Sequence, residues 1–354
     1  MKKLKGTLDE LFKKARSFIL NIKKGEKVFL FSHNDTDGIT SAIIFKKGLG
    51  QLGKSVSKNF ILKIEESEKL FSELKRCDKA VVLDLPFDKY KDNFLSSEKE
   101  ILFVDHHTIH EDVNDKKIVY LNPRFGNPKT YQPVAYLSYK IFSELIDAKK
   151  MWLTALIGTI ADYGFDDCRD FFSGLNVKSR EELWKTDYGR VVEKIYAAES
   201  ILGPVKVFAI LEKSNDLNSL KKNKQIDLSF IKYSQIYKQA KKEFERNAER
   251  FDEINLIFSK IRTNLSGVAS HLCTEISTSM PDKIVIVIDD LDLKRFKVHA
   301  RYQQGKIHLG HMLKECCEKI GEGGGHERAA GASFNKKYLD QFKQNIINYL
   351  KKRF

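Results

Sequence analysis

The chain has 354 residues, too many for one ordinary core, so two domains are expected. Hydrophobic residues make up 42% and aromatics 11%, enough to build packed cores and to exclude a disordered tail. Lys and Arg number 62 against 48 Asp and Glu, a net +14 that keeps a protein dispersed and also suits a polyanionic partner, nucleic acid or an anionic membrane surface.

No apolar run approaches the ~20 residues that span a bilayer. Residues 1–24 are charged throughout and lack the apolar stretch of a signal peptide. The five cysteines, Cys77, Cys168, Cys273, Cys316 and Cys317, form no CxxC pair and their count is odd. Reduced thiols and a cytoplasmic location are expected from this.

In chain order, Leu4, Leu8, Leu11, Phe12, Ala15, Phe18 and Ile19 share one stripe of an opening amphipathic helix with a Lys-rich opposite face. A strand over 27–32 and a helix over about 40–52 follow. Apolar runs at 80–85 and 101–104 each stop abruptly in polar residues. Short apolar runs alternating with helices predict a doubly wound, parallel α/β sheet. Pro123, Pro128 and Pro133 crowd a stretch that reads as a surface loop. Helical patterns resume at about 134–148 and 151–161. Residues 232–253 read as one long helix with Tyr233, Ile236, Tyr237, Ala240, Phe244 and Phe251 on its apolar stripe. Such a helix either joins two lobes or belongs to one of them. A second α/β unit follows, with strands at 284–288 and 295–301, a helix at about 306–320, a glycine run before His326, a strand at 329–334 and a closing helix. The expected boundaries are 1–230, a connecting helix at 231–255, and 256–354.

Four polar clusters carry the chemistry: His33-Asn34-Asp35-Thr36-Asp37-Gly38, Asp84, Asp105-His106-His107, and Asp162. The first three stand at the carboxyl ends of expected strands, where open α/β sheets bind ligands. Asp162 ends a helix that could lean over the same edge. Taken singly, the first cluster also reads as an Asx-rich turn capping a helix, Asp84 as a strand-end turn, and the histidine pair as surface. Together they gather carboxylates that would repel one another unless cations neutralise them, and mixed His and Asp donors suit a pair of divalent ions. The three glycines before His326 let backbone N–H groups approach a phosphate, or form a flexible turn. Arg301 reads either as a bidentate phosphate clamp or as a surface charge.

At this level the sequence resembles a known family. HNDTDGITSA, VVLDL, FVDHHTIH and GTIADYG match, in order, the four motifs of the DHH phosphoesterases, and VHAR with GGGHERAAGASF matches the DHH-associated C-terminal domain. The resemblance covers roughly 27–165 and 284–334. It implies a DHH domain and a smaller C-terminal α/β domain, with the active site in the cleft between them. One metal would take His33, Asp35 and Asp84, and the other Asp37, Asp84, His106 and Asp162. Asp105 would orient a histidine and His107 would reach the scissile phosphate. Arg301, Gly323, Gly324, Gly325 and His326 would hold the substrate. The ions implied are Mn²⁺, with Mg²⁺ as the alternative. The activity implied is RecJ-like digestion of single-stranded DNA or RNA from an end to 5′-mononucleotides, with replication or repair proteins as possible partners and no membrane. The +14 charge favours a strand-tracking groove, and the chain, shorter than bacterial RecJ and without a separate OB-fold, looks more like the compact archaeal RecJ-like proteins. Two other readings stay open: an oligoribonuclease or cyclic-dinucleotide phosphodiesterase, and a non-catalytic replication scaffold of the same fold.

Overall fold

The structure, a computed structural model, describes residues 7–214, 216–290 and 292–353. The expected stripe residue Leu4 lies outside the described residues. The chain divides into two compact units, Met1–Phe230 and Ile231–Phe354.

The first unit opens with α1 (Leu8–Leu20). Thr7 and Glu10 close a reciprocal capping box at its start, and Leu11, Ala15, Phe18 and Ile19 are its buried face. Then come β1 (Val28–His33), α2 (Thr36–Gln51), β2 (Lys58–Leu62), α3 (Ser67–Leu74), β3 (Lys79–Leu83), α4 (Lys91–Ser96), β4 (Glu100–Val104) and β5 (Ile118–Leu121). The five strands are all parallel, in the order β2-β1-β3-β4-β5. The chain moves outward from β1 to β2 and then returns past β1 to β3. Right-handed crossovers therefore send α2 and α3 to opposite faces. Coverage on both faces explains why β1, β3 and β4 read as unbroken apolar runs rather than alternating ones. The reversal puts the topological switch point between the carboxyl ends of β1 and β3.

Helices α5 (Val134–Phe142), α6 (Trp152–Ala161), α7 (Arg180–Lys185), α8 (Asp187–Leu202), α9 (Pro204–Lys213) and α10 (Leu217–Lys221) complete the unit. Helix α2 packs against α5, α6 and α9, so almost its whole first half is buried. It begins at Thr36 rather than near residue 40, because the Asp35 side chain caps it. The proline-rich stretch is exposed only at its middle; Pro123 and Pro133 are buried, each at the foot of a helical turn.

Helix α11 (Lys224–Asn247) begins in the first unit and ends in the second. Asn223 accepts the Gln225 and Ile226 N–H groups and starts it earlier than the apolar pattern suggests. It stops short of 253 because the chain turns into a strand. The second unit holds β6 (Glu249–Phe251), β7 (Leu256–Ile261), α12 (Val268–Ser279), β8 (Ile284–Asp289), β9 (Arg295–Arg301), α13 (Leu309–Cys316), β10 (Gly321–Gly325), β11 (Ala329–Asn335) and α14 (Leu339–Lys351). Its six-stranded sheet runs β10-β11-β9-β8-β7-β6 and is mixed, with only β7 and β8 parallel, across the helix α12. All five cysteines are buried, Cys77 and Cys168 in the first unit and Cys273, Cys316 and Cys317 in the second. Burial pushes every one of their thiols above the ordinary range. Among the described residues no helix is long and apolar enough to cross a membrane.

Candidate metal centre

Strand β1 ends in His33, and α2 starts almost at once. A Cβ on Gly38 would fall 2.5 Å from the His33 carbonyl oxygen, so only glycine lets the helix turn so tightly on the strand. That turn brings Asp35, the helix cap, and Asp37, in the first turn, to the same edge as His33. Strand β3 ends at Leu83 and is followed by Asp84 with φ of 60°, a left-handed backbone that a non-glycine residue adopts at a cost. Strand β4 delivers Asp105, His106 and His107. Asp162 caps the C-terminus of α6. One turn earlier, a Cβ on Gly158 would fall 2.1 Å from Thr40 Oγ1 and 2.5 Å from Ala135 Cβ. This glycine lets α6 close on α2 and α5 and swing Asp162 over the strand ends.

The sequence-identified residues of this unit come together. His33 Nδ1 lies 2.8 Å from Asp35 Oδ2 and 3.5 Å from Asp84 Oδ2. His106 Nε2 lies 3.3 Å from Asp84 Oδ1, and its Nδ1 lies 3.5 Å from Asp162 Oδ2. His107 Nδ1 is 2.7 Å from Asp105 Oδ1 and 3.9 Å from Asp84 Oδ1. Three overlapping sets have donor atoms within 4.8 Å of one another: His33, Asp35 and Asp84; Asp37, His106 and Asp162; and Asp84, His106 and His107. Asp84 belongs to two of them.

His33 Nδ1, His106 Nδ1 and Asp84 Oδ2 are buried, and none of them makes a well-aligned hydrogen bond among the described residues, although His33 Nδ1 has the Asp35 carboxylate 2.8 Å away. Buried polar atoms left this way are costly unless something else satisfies them. Imidazole nitrogens and carboxylate oxygens, converging and unsatisfied, are the donor chemistry of a divalent metal site, and these residues fit one.

The electrostatics say the same. Burial opposes charge on His33, yet Asp35 and Asp84 outweigh it and hold its pKa up at about 11. Burial likewise opposes charge on His107, but Asp105 above all raises it to about 9. Burial would raise the Asp84 carboxyl, but the two histidines His106 and His33 hold it well below the usual carboxylate range. Burial and the neighbouring charge of Asp84 push Asp37 well up. Burial raises Asp162 to about 7, with His106 opposing. Carboxyls and imidazoles pushed up together mark a cluster with an excess of negative charge, which a bound cation would relieve.

Several supporting groups carry no sequence signal. The carboxylate of Asp37 accepts the N–H groups of Val134, at 2.7 Å, and Ala135, at 2.8 Å, from the first turn of α5. The positive end of that helix thus holds one of the candidate ligands. The Tyr131 hydroxyl donates to Asp162 Oδ2 at 2.8 Å. Arg124 Nε donates to the His106 carbonyl at 2.7 Å and Asn122 Nδ2 to the His107 carbonyl at 3.0 Å, pinning the histidine pair from behind. The Thr36 hydroxyl donates to Glu199 of α8 at 2.6 Å. Of these, Asn122 and Arg124, on either side of Pro123, and Tyr131, between Pro128 and Pro133, stand near a feature the sequence marks, the proline-rich stretch.

In the second unit, Arg301 ends β9, and its guanidinium donates to Thr274 Oγ1 and Ser270 Oγ of α12, at 3.2 and 3.1 Å. Gly323, Gly324 and Gly325 lie within the strand β10, paired with Ala332, Gly331 and Ala330, and not in a loop or flexible turn. Two of these glycines have packing reasons. A Cβ on Gly323 would fall 2.4 Å from the Leu313 carbonyl oxygen, and Gly325 has φ of 130°. Gly324 faces open space. His326 follows the strand, and its N–H donates to the Ala329 carbonyl at 2.8 Å in the turn to β11.

Comparison with known proteins bears on the family and the fold. Residues 27–159 match the model of the DHH family, N-terminal domain, and residues 253–352 match that of the DHHA1 domain. No curated protein matches the chain. Among solved structures, RecJ of Thermus thermophilus in complex with Mn²⁺ aligns with a TM-score of 0.71 at 17% identity, covering 98% of this chain and 55% of that one. This chain therefore spans about half the length of that relative. An exonuclease RecJ bound to manganese aligns with a TM-score of 0.73 at 17% identity, covering 97% and 94%. The pGpG-specific phosphodiesterase PggH of Vibrio cholerae aligns with a TM-score of 0.53 at 10% identity, covering 92% and 99%. With both domain models in order and the fold of RecJ around them, the chain is a member of the DHH superfamily.

Proposed function

We propose that this protein is a two-metal phosphodiesterase that digests single-stranded nucleic acid from an end to 5′-mononucleotides. The observation that carries the reading is the shared Asp84: buried, held in a left-handed backbone, and common to two overlapping sets of His and Asp donors. One ion would take His33, Asp35 and Asp84, and the other Asp37, Asp84, His106 and Asp162. Mn²⁺ is the proposed metal, consistent with the metal in the RecJ structures of like fold. Such a pair, when bound, supplies Lewis acidity and an activated water for in-line attack at phosphorus.

The protein's own groups do the rest. Asp105 holds His107 through Nδ1, which leaves Nε2 to donate to a phosphate oxygen as negative charge develops there. The α5 amides fix Asp37, and Tyr131 fixes Asp162, so these two carboxylates need little reorganisation to bind a cation. Arg301 and the backbone of β10 are proposed to bind the strand, and the +14 charge supports a polyanion as substrate. A replication or repair protein is the proposed class of protein partner.

The likeness in fold to PggH favours one second reading, hydrolysis of dinucleotides or cyclic dinucleotides. Digestion with Mn²⁺ of single-stranded DNA and RNA, labelled at either end, compared with dinucleotides and circular single strands, separates the two. Faster turnover of linear strands than of dinucleotides or circles supports end digestion. Preference for dinucleotides replaces it with the second reading, and full activity in excess chelator rejects both.

A further inference from the structure

Helix α6 ends in a way that favours glycine. The Gly164 N–H donates to the Thr159 carbonyl at 2.9 Å and the Tyr163 N–H to the Ile160 carbonyl at 3.1 Å. This paired stop puts the residue after the cap in the left-handed region, where glycine usually stands. Here it is Tyr163, with φ of 56°. The neighbouring glycine does not relieve it. Gly164 is needed for packing, since a Cβ there would fall 2.4 Å from Pro133 Cδ. A bulky residue kept in this conformation next to a candidate metal ligand calls for a reason in its side chain.

Tyr163 is 55% exposed, and its ring stands 5.8 Å from the ring of Trp184. With Tyr131, Asp166, Asp167 and Arg180 it lines a cavity of about 280 Å³. Tyr131 is the shared wall: its hydroxyl bonds Asp162, and its ring lies 4.9 Å from that of His106. The cavity therefore opens beside the metal centre and within the same unit.

We propose that this cavity is a subsite for a nucleobase, the base of a nucleotide whose phosphate lies at the metal centre. The proposal rests on the phosphodiesterase reading of that centre. Aromatic rings offer a flat face on which any base stacks. The polar groups on the cavity wall suit a base better than a second phosphate: the lining carries the carboxylates of Asp166 and Asp167 against the guanidinium of Arg180, while Arg169, outside the lining, pairs with Asp166 Oδ1 at 3.5 Å. Asp166 Oδ2 accepts from Arg180 at 2.6 Å and Asp167 Oδ2 from the Tyr131 N–H at 2.6 Å. Each carboxylate keeps lone pairs that can accept the ring or amino N–H groups of a base.

Equilibrium binding tests this without turnover. In a Trp152→Phe background, Trp184 is the sole tryptophan and reports from beside Tyr163. We expect saturable fluorescence change on titration with 5′-GMP, and binding of ribose 5-phosphate weaker by about tenfold or more. Tyr163→Gly should reduce 5′-GMP affinity to the level of ribose 5-phosphate while melting no lower than its parent, since glycine relieves the backbone. Tyr163→Phe should keep the affinity. Equal binding of the two probes, no saturable binding of 5′-GMP, or unchanged affinity in Tyr163→Gly overturns the subsite. Hydrolysis of bis(p-nitrophenyl) phosphate by the parent with Mn²⁺, a substrate with no base, decides the phosphodiesterase reading separately.

Discussion

Three features set Asp84 apart, and each depends on where β3 stops. Its left-handed backbone turns the carboxylate back over the strand ends, burial removes water from it, and two histidines flank it. Asparagine tolerates the same backbone and keeps the volume, so Asp84→Asn isolates the charge. We expect cleavage to fall by more than about a hundredfold, with the fold intact by circular dichroism. Activity near the wild-type level would remove Asp84 from the centre. The adjacent histidines separate by their partners. His106 stands between Asp84 and Asp162, whereas His107 is tied to Asp105. His106→Ala should weaken Mn²⁺ binding as well as turnover, and His107→Ala should lower kcat with Mn²⁺ affinity kept. Calorimetric Mn²⁺ titration of both decides it, and equal loss of metal would give His107 the role of a ligand.

Among the elements, α5 has the least obvious role, because it aims its first two amides at a carboxylate 97 and 98 residues away in sequence. Val134 is the first residue of the helix, where proline is accepted without breaking it. Val134→Pro should therefore delete one donor to Asp37 and leave the helix in place. Mn²⁺ affinity should drop about tenfold to a hundredfold, the usual cost of losing a group that orients a ligand. An unchanged Mn²⁺ affinity in a folded Val134→Pro protein would show that the amide is dispensable. This contact also marks the limit of what sequence reveals. His33, Asp35, Asp37, Asp84 and the Asp105–His107 run were legible because each follows a strand that buries both faces and so reads as an apolar run. Strand β2, at the sheet edge and only partly buried, shows no such run and went unseen. The glycine run hid a strand because glycine has little strand preference of its own. Gly323 sits there because α13 passes too close for a side chain. Tyr131 and the α5 amides act through tertiary approach, which no local pattern carries.

For the whole molecule, charge is the property that bears on substrate. A net +14 spread over 354 residues does not by itself define a groove, but it predicts how binding responds to salt. Affinity for single-stranded DNA, measured with catalysis blocked by Asp84→Asn, should fall linearly in log–log form, with a slope near −0.7 per phosphate neutralised. It should also rise with strand length up to roughly 4–16 nucleotides. A flat salt response together with full-strength dinucleotide binding would favour the dinucleotide reading.

The buried thiols offer a clock on each half of the chain. A cysteine that no reagent can reach in the closed protein reacts only when its surroundings open, so its labelling rate measures a local opening equilibrium. Cys168 reports from the unit that carries the candidate metal ligands and Cys273 from the other. A cation that binds only the closed first unit should slow the modification of Cys168 by about a hundredfold at about a hundred times its dissociation constant. If the two units open independently, Cys273 should keep its metal-free rate under the same conditions. Mass spectrometry of both sites along one time course reads the two rates together, and equal protection of both thiols would mean that the halves open as a single cooperative body.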